Sequence, residues 1–447
     1  MSREEGDSGL ALHTKILIGL ILGAGIAAIA KTVAPAEEAA ALTDFGVRWI
    51  EPIGKLFLRG ILLTVVPLVF TSIVGGIHQL GDVRTLGRLG TRTLGIYLFT
   101  SFAAATIATA FGMGLVPGEA ISEETRGLLS QQFSGVAQAK LEASTVAASR
   151  FEGSIFQILL NLVPDNAIAA MTSNKLLLEV IIFSVLLGAA LTMIDAHKAE
   201  PVANVLEGVN LAMIKIIEVM MLLAPYGVFS LVYMVVIRAG TEVLVALGFY
   251  TLVVLAALLA HSLVILAPLL AIFAKRSPVE FVKSIKEVLV TAFSTSSSSA
   301  TLPVTMRVAE EQVGIDKSVS SFVLPLGSTI NMDGTTIYQI VAVHFVAQVW
   351  GIELSFATSF SLILVAMLMG IGAAGVPGGV IPLLYVVMAT AGIPTGTAEL
   401  GIALILGMDR ILDMCRTCLN VVGDTVTATV VASAEGKLKS PGATHSA

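Results

Sequence analysis

Asp409, Asp413, Arg416, Thr417, Asn420 and Asp424 fall within Gly401 to Val431, a stretch that is otherwise mostly apolar. At about 100° per residue their side chains project at roughly 0°, 40°, −20°, 80°, 20° and 60°, one arc about 100° wide. Each ionised side chain at mid-membrane costs roughly 2.5–3.5 kcal/mol on insertion scales, so this stripe facing lipid would cost on the order of 10 kcal/mol. It must face protein, water or a charged ligand. One reading is an internal salt-bridge ladder that only fixes helix packing. The other is a functional site, since intramembrane ionisable residues are usually functional. Acids outnumber bases on the stripe, and the excess negative charge suits cations.

A second group of candidate ligands lies at Thr329-Ile330-Asn331-Met332-Asp333-Gly334-Thr335. On a regular helix Asn331 and Asp333 stand about 200° apart. They share a site only where the helix unwinds, which Gly334 favours. Unwound carbonyls beside a carboxylate make an oxygen-only site, suited to an alkali or alkaline-earth ion rather than a transition metal. Tyr97, Thr100 and Ser101 share one face of another apolar segment and add hydroxyl oxygens. Cys415 and Cys418 have Cys-x-x-Cys spacing, but they project at roughly −120° and 180°, away from the stripe. Without a second Cys or His pair they read as packing residues. His261 and His344 have no carboxylate at ligand spacing and read as satisfied interior or interface histidines.

The elements that must position these groups are membrane helices. Hydrophobic residues make up 55% of the chain and charged residues 13%, and the mean hydropathy is +0.90. Windows of about 20 apolar residues occur near 14–31, 50–77, 93–116, 174–194, 205–236, 243–273, 318–349 and 401–432, which predicts eight spanning helices in an all-α polytopic membrane protein. Pro67 and Pro225 mark kinks. No cleavable signal peptide is evident at the start. Arg84, Arg88 and Arg92 after the second window, and Lys275, Arg276, Lys283 and Lys286 after the sixth, place those connections in the cytoplasm. An even helix count then puts both termini inside. The net charge of −6 says little about partners, and neither a basic patch nor an aromatic groove suggests nucleic acid.

Two further apolar segments are interrupted: Ala292 to Thr305 reads AFSTSSSSATLPVT and Gly370 to Leu383 reads GIGAAGVPGGVIPL. Freed backbone groups are tolerated at membrane depth only where they line a cavity or lie in protein, so each reads as a re-entrant hairpin. The C-terminal half therefore runs hairpin, helix, hairpin, helix. Paired, interrupted segments of this kind point to the midplane site of a secondary transporter. The alternative is that the serines merely permit close helix packing.

These residues resemble the glutamate transporter family, the dicarboxylate/amino acid:cation symporters. SSSSATLPVT is similar to the family's first hairpin tip, NMDGT to its broken seventh helix, GAAGVPGG to its second hairpin tip and DMCRTCLNVVGD to its eighth helix. The resemblance implies inverted repeats, a homotrimer in the plasma (inner) membrane, and an elevator. Scaffold helices would lie in 14–85 and 153–238, and a transport domain in 86–116 and 239–434. Residues 117–152 would form an extracellular or periplasmic loop, and 1–13 and 435–447 cytoplasmic tails. By position Arg416 corresponds to the residue gripping the substrate's side-chain carboxylate and Asp413 to the partner of its α-amino group. Ser298 and Asn420 match the α-carboxylate ligands, and Ser297, Thr335, Gly375, Val376, Pro377, Gly378 and Thr417 line the pocket. Sodium would be the coupling ion, with no other cofactor. Asp424 and Asn420 with the Gly327 and Asn331 carbonyls would hold one ion. Asp333, Tyr97, Thr100, Ser101 and Asn331 would hold another. Thr329 and Met332 with the backbone of Gly370, Ile371 and Ala373 would hold a third.

Departures from the family pattern are specific. Ser296 stands where some prokaryotic relatives place an Arg, and Met414 where animal relatives place a compensating one; Arg410, at roughly 100° on the stripe's edge, is the available substitute. Gln339 occupies the position of the family's proton-carrying Glu, and Val380 replaces a small residue. Having both Asp413 and Arg416 favours L-aspartate or L-glutamate over a dicarboxylate or a neutral amino acid. An intramembrane serine hydrolase lacks the required base, since no His or Lys accompanies Ser296 to Ser299, so the chain is not read as an enzyme. A proton-coupled glutamate/aspartate or C4-dicarboxylate symporter is the closest rival, and a passive anion channel a remoter one.

Overall fold

Backbone groups in an apolar medium must satisfy one another, which a helix does within a single segment. A computed structural model of the chain describes residues 12–33, 36–83, 87–122, 164–172, 177–371 and 379–439. Among these, every regular element is helical, and the only extended pairing is an isolated bridge between Ile315 and Leu438. Leaving aside a one-turn helix at Ala167–Ala170, the order is α1 (Leu12–Val33), α2 (Ala36–Phe45), α3 (Glu51–Leu62), α4 (Val65–Val83), α5 (Arg88–Leu115), α6 (Leu177–Leu191), α7 (Ala196–Met221), α8 (Ala224–Ala239) and α9 (Glu242–His261). There follow α10 (Ala267–Phe273), α11 (Pro278–Ser284), α12 (Lys286–Thr295), α13 (Ser298–Val308), α14 (Lys317–Ile330), α15 (Asp333–Val349), α16 (Phe356–Ile371), α17 (Val380–Thr390) and α18 (Thr395–Ala434).

The expected spans take several forms. Thr14–Val33, Ala41–His78, Arg88–Ala120 and Glu242–Phe273 are each long and apolar enough to cross a membrane, and α7 with α8 makes a fifth, bent by 62°. The bend falls just before Pro225, and the regular helix is also interrupted at Leu63–Thr64, just before Pro67. Proline has no N–H to offer and its ring collides with the carbonyl four residues back. The window at 318–349 is split between α14 and α15, and the one at 401–432 lies inside the 40-residue α18, whose charged groups remove it from the plainly apolar class. Around 174–194 only Leu177–Leu191 is helical among the described residues. The connection 117–152 lies mostly outside the described residues.

Two groups of helices pack together. In the first, α1 lies along α8, α3 against α8, and α4 against α6 and α7. In the second, α15 and α18 are central: α15 packs on α5, α9, α16 and α18, while α12, α13 and α14 pack on α18. Every residue of α15 except Gln348 is buried, as expected of a helix that is apolar nearly all round.

The first interrupted segment is a helix–turn–helix. Ser296 ends α12 in the left-handed region (φ 50°). Ser297 is extended and its Oγ accepts from the Ala300 N–H at 3.1 Å, capping α13. Of the second, α16 and α17 are the arms, and 372–378 lie outside the described residues.

Arg88 and Arg92 are not loop residues: they lie in the first turns of α5 and bind Glu435, just past α18, at 2.8 and 2.6 Å. Basic side chains can extend a helix beyond its apolar core because their charged ends reach past it. Beyond Glu435 the chain pairs with the α13–α14 connection, with the Asp316 N–H donating to the Lys437 carbonyl and the Lys439 N–H to that of Gly314.

Candidate functional site

The stripe on α18 is buried: Asp409, Asp413, Arg416, Thr417, Asn420 and Asp424 are each 5% exposed or less. Arg416 extends between two carboxylates, with Nη1 donating to Asp409 Oδ1 at 2.8 Å and Nη2 meeting Asp413 Oδ1 at 2.9 Å. Its guanidinium carbon lies 4.3 Å from the centre of the Tyr338 ring, a cation–π contact worth up to about 2 kcal/mol where water is excluded. Arg410 reaches Asp413 Oδ2 at 3.5 Å. The upper half of the stripe is thus a salt-bridge ladder as it stands, and it gives each Nη atom of Arg416 a carboxylate partner.

The lower half meets the helix break. Asn331 (φ −88°, ψ 80°) and Met332 (φ −108°, ψ 47°) leave helical geometry, as the NMDGT pattern predicts. Gly334 does not supply the unwinding, because it already lies in the first turn of α15. Its role is close approach: a Cβ there would sit 2.5 Å from the Arg416 carbonyl oxygen. The Gly334 N–H donates to Asn420 Oδ1 at 2.8 Å, and Asn420 Nδ2 reaches Met332 Sδ at 3.2 Å. One α18 amide therefore satisfies a backbone N–H that the break releases and reaches the Met332 side chain beside it.

Around the break the oxygens converge. Asn331 Nδ2 donates to Asp424 Oδ1 at 2.9 Å, and Thr100 Oγ1 lies 3.4 Å from Asn331 Oδ1. Ser101 Oγ donates to Asp333 Oδ1 at 2.8 Å and the Tyr97 hydroxyl to the Val323 carbonyl at 3.0 Å. Gly327 closes the set, since a Cβ would come within 2.3 Å of the Tyr97 hydroxyl and 2.6 Å of Asp424 Oδ1. Tyr97, Thr100, Ser101, Gly327, Asn331, Asp333, Asn420 and Asp424 thus meet across α5, α14, α15 and α18. The buried carboxylates Asp333, Asp409, Asp413 and Asp424 outnumber the guanidinium groups of Arg410 and Arg416. Hard oxygen donors with excess negative charge match small hard cations.

Other expected site residues are placed more loosely. Thr335 is 3.5 Å from Asn420 Nδ2, and Thr417 is buried on the stripe. Ser297 serves as a helix cap and Ser298 is buried in the first turn of α13. Thr329 donates its hydroxyl to the Leu326 carbonyl at 3.0 Å, within its own helix. Gly370 abuts Thr336 and Met332, with Ile371 ending α16 beside it. Ala373, Gly375, Val376, Pro377 and Gly378 lie outside the described residues. Cys415 and Cys418 are half-buried free thiols packed against the core, as read from the wheel.

His261 requires a correction. Its Nε2 lies 3.1 Å from Asp333 Oδ2 with both side chains 0% exposed, so it does meet a carboxylate. No local spacing signals a contact made only when α9 packs on α15. His344 bonds within its own helix, Nδ1 to the Ile340 carbonyl at 2.9 Å. Asp409 and Tyr338 also escaped assignment as site residues; the wheel placed Asp409 on the stripe, whereas nothing local marked Tyr338.

A bundle of buried helices around a charged, oxygen-rich centre, with a broken helix and a hairpin converging on it, defines a secondary transporter of the multi-pass membrane class. The chain belongs to the sodium:dicarboxylate symporter family, whose model matches residues 12–434, and the proteins it resembles are transporters rather than enzymes. It is 32% identical over 429 residues to a proton/sodium-glutamate symport protein of Bacillus caldotenax, covering 96% of this chain and 95% of that one. To a proton/glutamate-aspartate symporter of Escherichia coli (strain K12) it is 36% identical over 396 residues, 88% and 86% of the two chains. A C4-dicarboxylate transport protein of Azorhizobium caulinodans is 33% identical over 404 residues, 88% and 84%.

Proposed function

We propose that this chain is a cation-coupled symporter of acidic organic solutes, and within that class a sodium-driven carrier of L-aspartate or L-glutamate. The observation that carries the reading is Arg416, held flat between Asp409 and Asp413 next to the oxygen cluster at the Asn331–Met332 break. In this account Arg416 takes the substrate's side-chain carboxylate, Asp413 its ammonium, and Asn420 with Ser298 its α-carboxylate. Thr335, Thr417, Ser297 and the tip Gly375 to Gly378 enclose it. Sodium, as cargo, is held by Asp424, Asn420, Gly327 and Asn331, by Asp333, Tyr97, Thr100, Ser101 and Asn331, and by Thr329, Met332, Gly370, Ile371 and Ala373. Asn420 belongs to both the cation set and the set holding the α-carboxylate, so occupancy by one cargo changes the binding of the other, which is coupling.

The same proposal covers the larger frame: eight spans, a homotrimer in the plasma membrane with both termini cytoplasmic, and an elevator that moves the helices around α15 and α18 against those around α1 and α4. The two packing groups support that division. A proton-coupled reading is favoured by the name of the Escherichia coli relative, and is kept as the rival. Substrate class is tested by competition against labelled L-aspartate uptake. Unlabelled L-glutamate should compete and succinate, which lacks the ammonium, should not. Strong competition by succinate would move the assignment to C4 dicarboxylates and remove the role given to Asp413.

A further inference from the structure

We infer that His261 is a positioning residue of the cation site, acting by orienting the Asp333 carboxylate; the inference rests on the sodium reading above. Asp333 is fully buried at the start of α15, and its two oxygens are engaged from different helices. Ser101 on α5 donates to Oδ1 at 2.8 Å and His261, the last residue of α9, meets Oδ2 at 3.1 Å. A carboxylate oxygen only accepts, so the hydrogen of this bond is on Nε2.

Donors on both oxygens stop rotation of the carboxylate, yet each oxygen keeps a further lone pair for a cation. The ring itself is held by packing rather than by a second bond, since His261 Nδ1 is buried without a hydrogen-bond partner among the described residues. The backbone contributes too. A π turn, Ser262–Leu266, begins directly after His261, and such turns shift the helical register and the direction of the residues around them. Ligating carboxylates are commonly held by outer partners of this kind, whose removal weakens metal binding by 10–100-fold.

The test compares wild type, His261→Leu and His261→Gln in proteoliposomes. Leu keeps an apolar body of similar size and removes the donor; Gln keeps an amide N–H at the reach of Nε2. The sodium concentration giving half-maximal L-aspartate uptake is expected to rise about tenfold or more in His261→Leu, with the maximal rate at saturating sodium retained, and to return close to wild type in His261→Gln. Sodium-dependent thermal stabilisation of the purified proteins without substrate reads the same affinity independently of transport. A residue serving only packing would lower yield or maximal rate and leave the sodium dependence unmoved. An unchanged sodium dependence in His261→Leu, or a shift in His261→Gln as large as that in Leu, overturns the inference. If His261→Leu does not fold, His261→Gln decides alone: a wild-type sodium dependence supports the donor role and a shifted one overturns it. Sodium-independent uptake and stability in wild type would overturn the sodium reading itself, and this inference with it.

Discussion

In the proposed function, Arg416 is the residue on which substrate choice turns. Its Nη atoms already have partners in Asp409 and Asp413, so an arriving carboxylate must share or displace one of them. Removing one member of a buried ion pair costs roughly 3–5 kcal/mol, because the remaining carboxylates stay buried without compensation. Arg416→Cys is expected to abolish uptake of acidic substrates and to admit neutral amino acids; persistent aspartate uptake by this variant would refute the substrate assignment. Asp424→Asn keeps shape and removes charge. The sodium concentration for half-maximal uptake should rise by at least the tenfold that loss of an outer ligand partner costs, as read from initial rates over a sodium series. The α18 stripe was legible because a helical period can be counted along the chain. His261 was not, since 72 residues separate it from Asp333 and only tertiary packing brings them together.

Among the elements, the break between α14 and α15 brings Asn331 and Asp333 to α5 and α18, and two close approaches hold the break. Gly334 lets α15 lie against the α18 backbone, and Gly327 lets α14 lie against Tyr97 and Asp424. Gly334→Ala would put a methyl group 2.5 Å from the Arg416 carbonyl oxygen, with backbone on both sides and no flexible neighbour to yield. Overpacking of this sort costs roughly 1–3 kcal/mol. The variant is expected to melt at lower temperature and to lose aspartate binding, measured by thermal shift with and without substrate; wild-type stability would show that the helices part freely here. The first hairpin was visible in the sequence because four serines and a proline cannot continue an apolar span. The break itself was visible in NMDGT, but the reason for Gly334 was not, because a close approach needs both helices in place.

For the whole molecule, composition alone announced a membrane protein, whereas the grouping of helices came only from their packing. One device ties the second group together at its charged end. Glu435 joins Arg88 and Arg92, and the hydrogen bond from Arg88, helped by the charges of both arginines, holds its carboxyl below the ordinary value of 4.5. A lowered native value means that the contact stabilises fully above 4.5 and is lost as pH falls through the native value. The amides of Asp316 and Lys439, which pair the α13–α14 connection with the segment after α18, should therefore lose hydrogen-exchange protection on acidification, after correction for intrinsic rates. An Arg88→Gln, Arg92→Gln double variant should show that loss already at neutral pH; protection that ignores both changes would dismiss the tie. Coupling of acidic amino acid uptake to sodium is the core of the proposed function. It is tested most directly by uptake of labelled L-aspartate into proteoliposomes, under an inward sodium gradient and, separately, an inward proton gradient in sodium-free buffer. Accumulation above equilibrium is expected with sodium alone, and accumulation driven by protons without sodium would contradict sodium coupling.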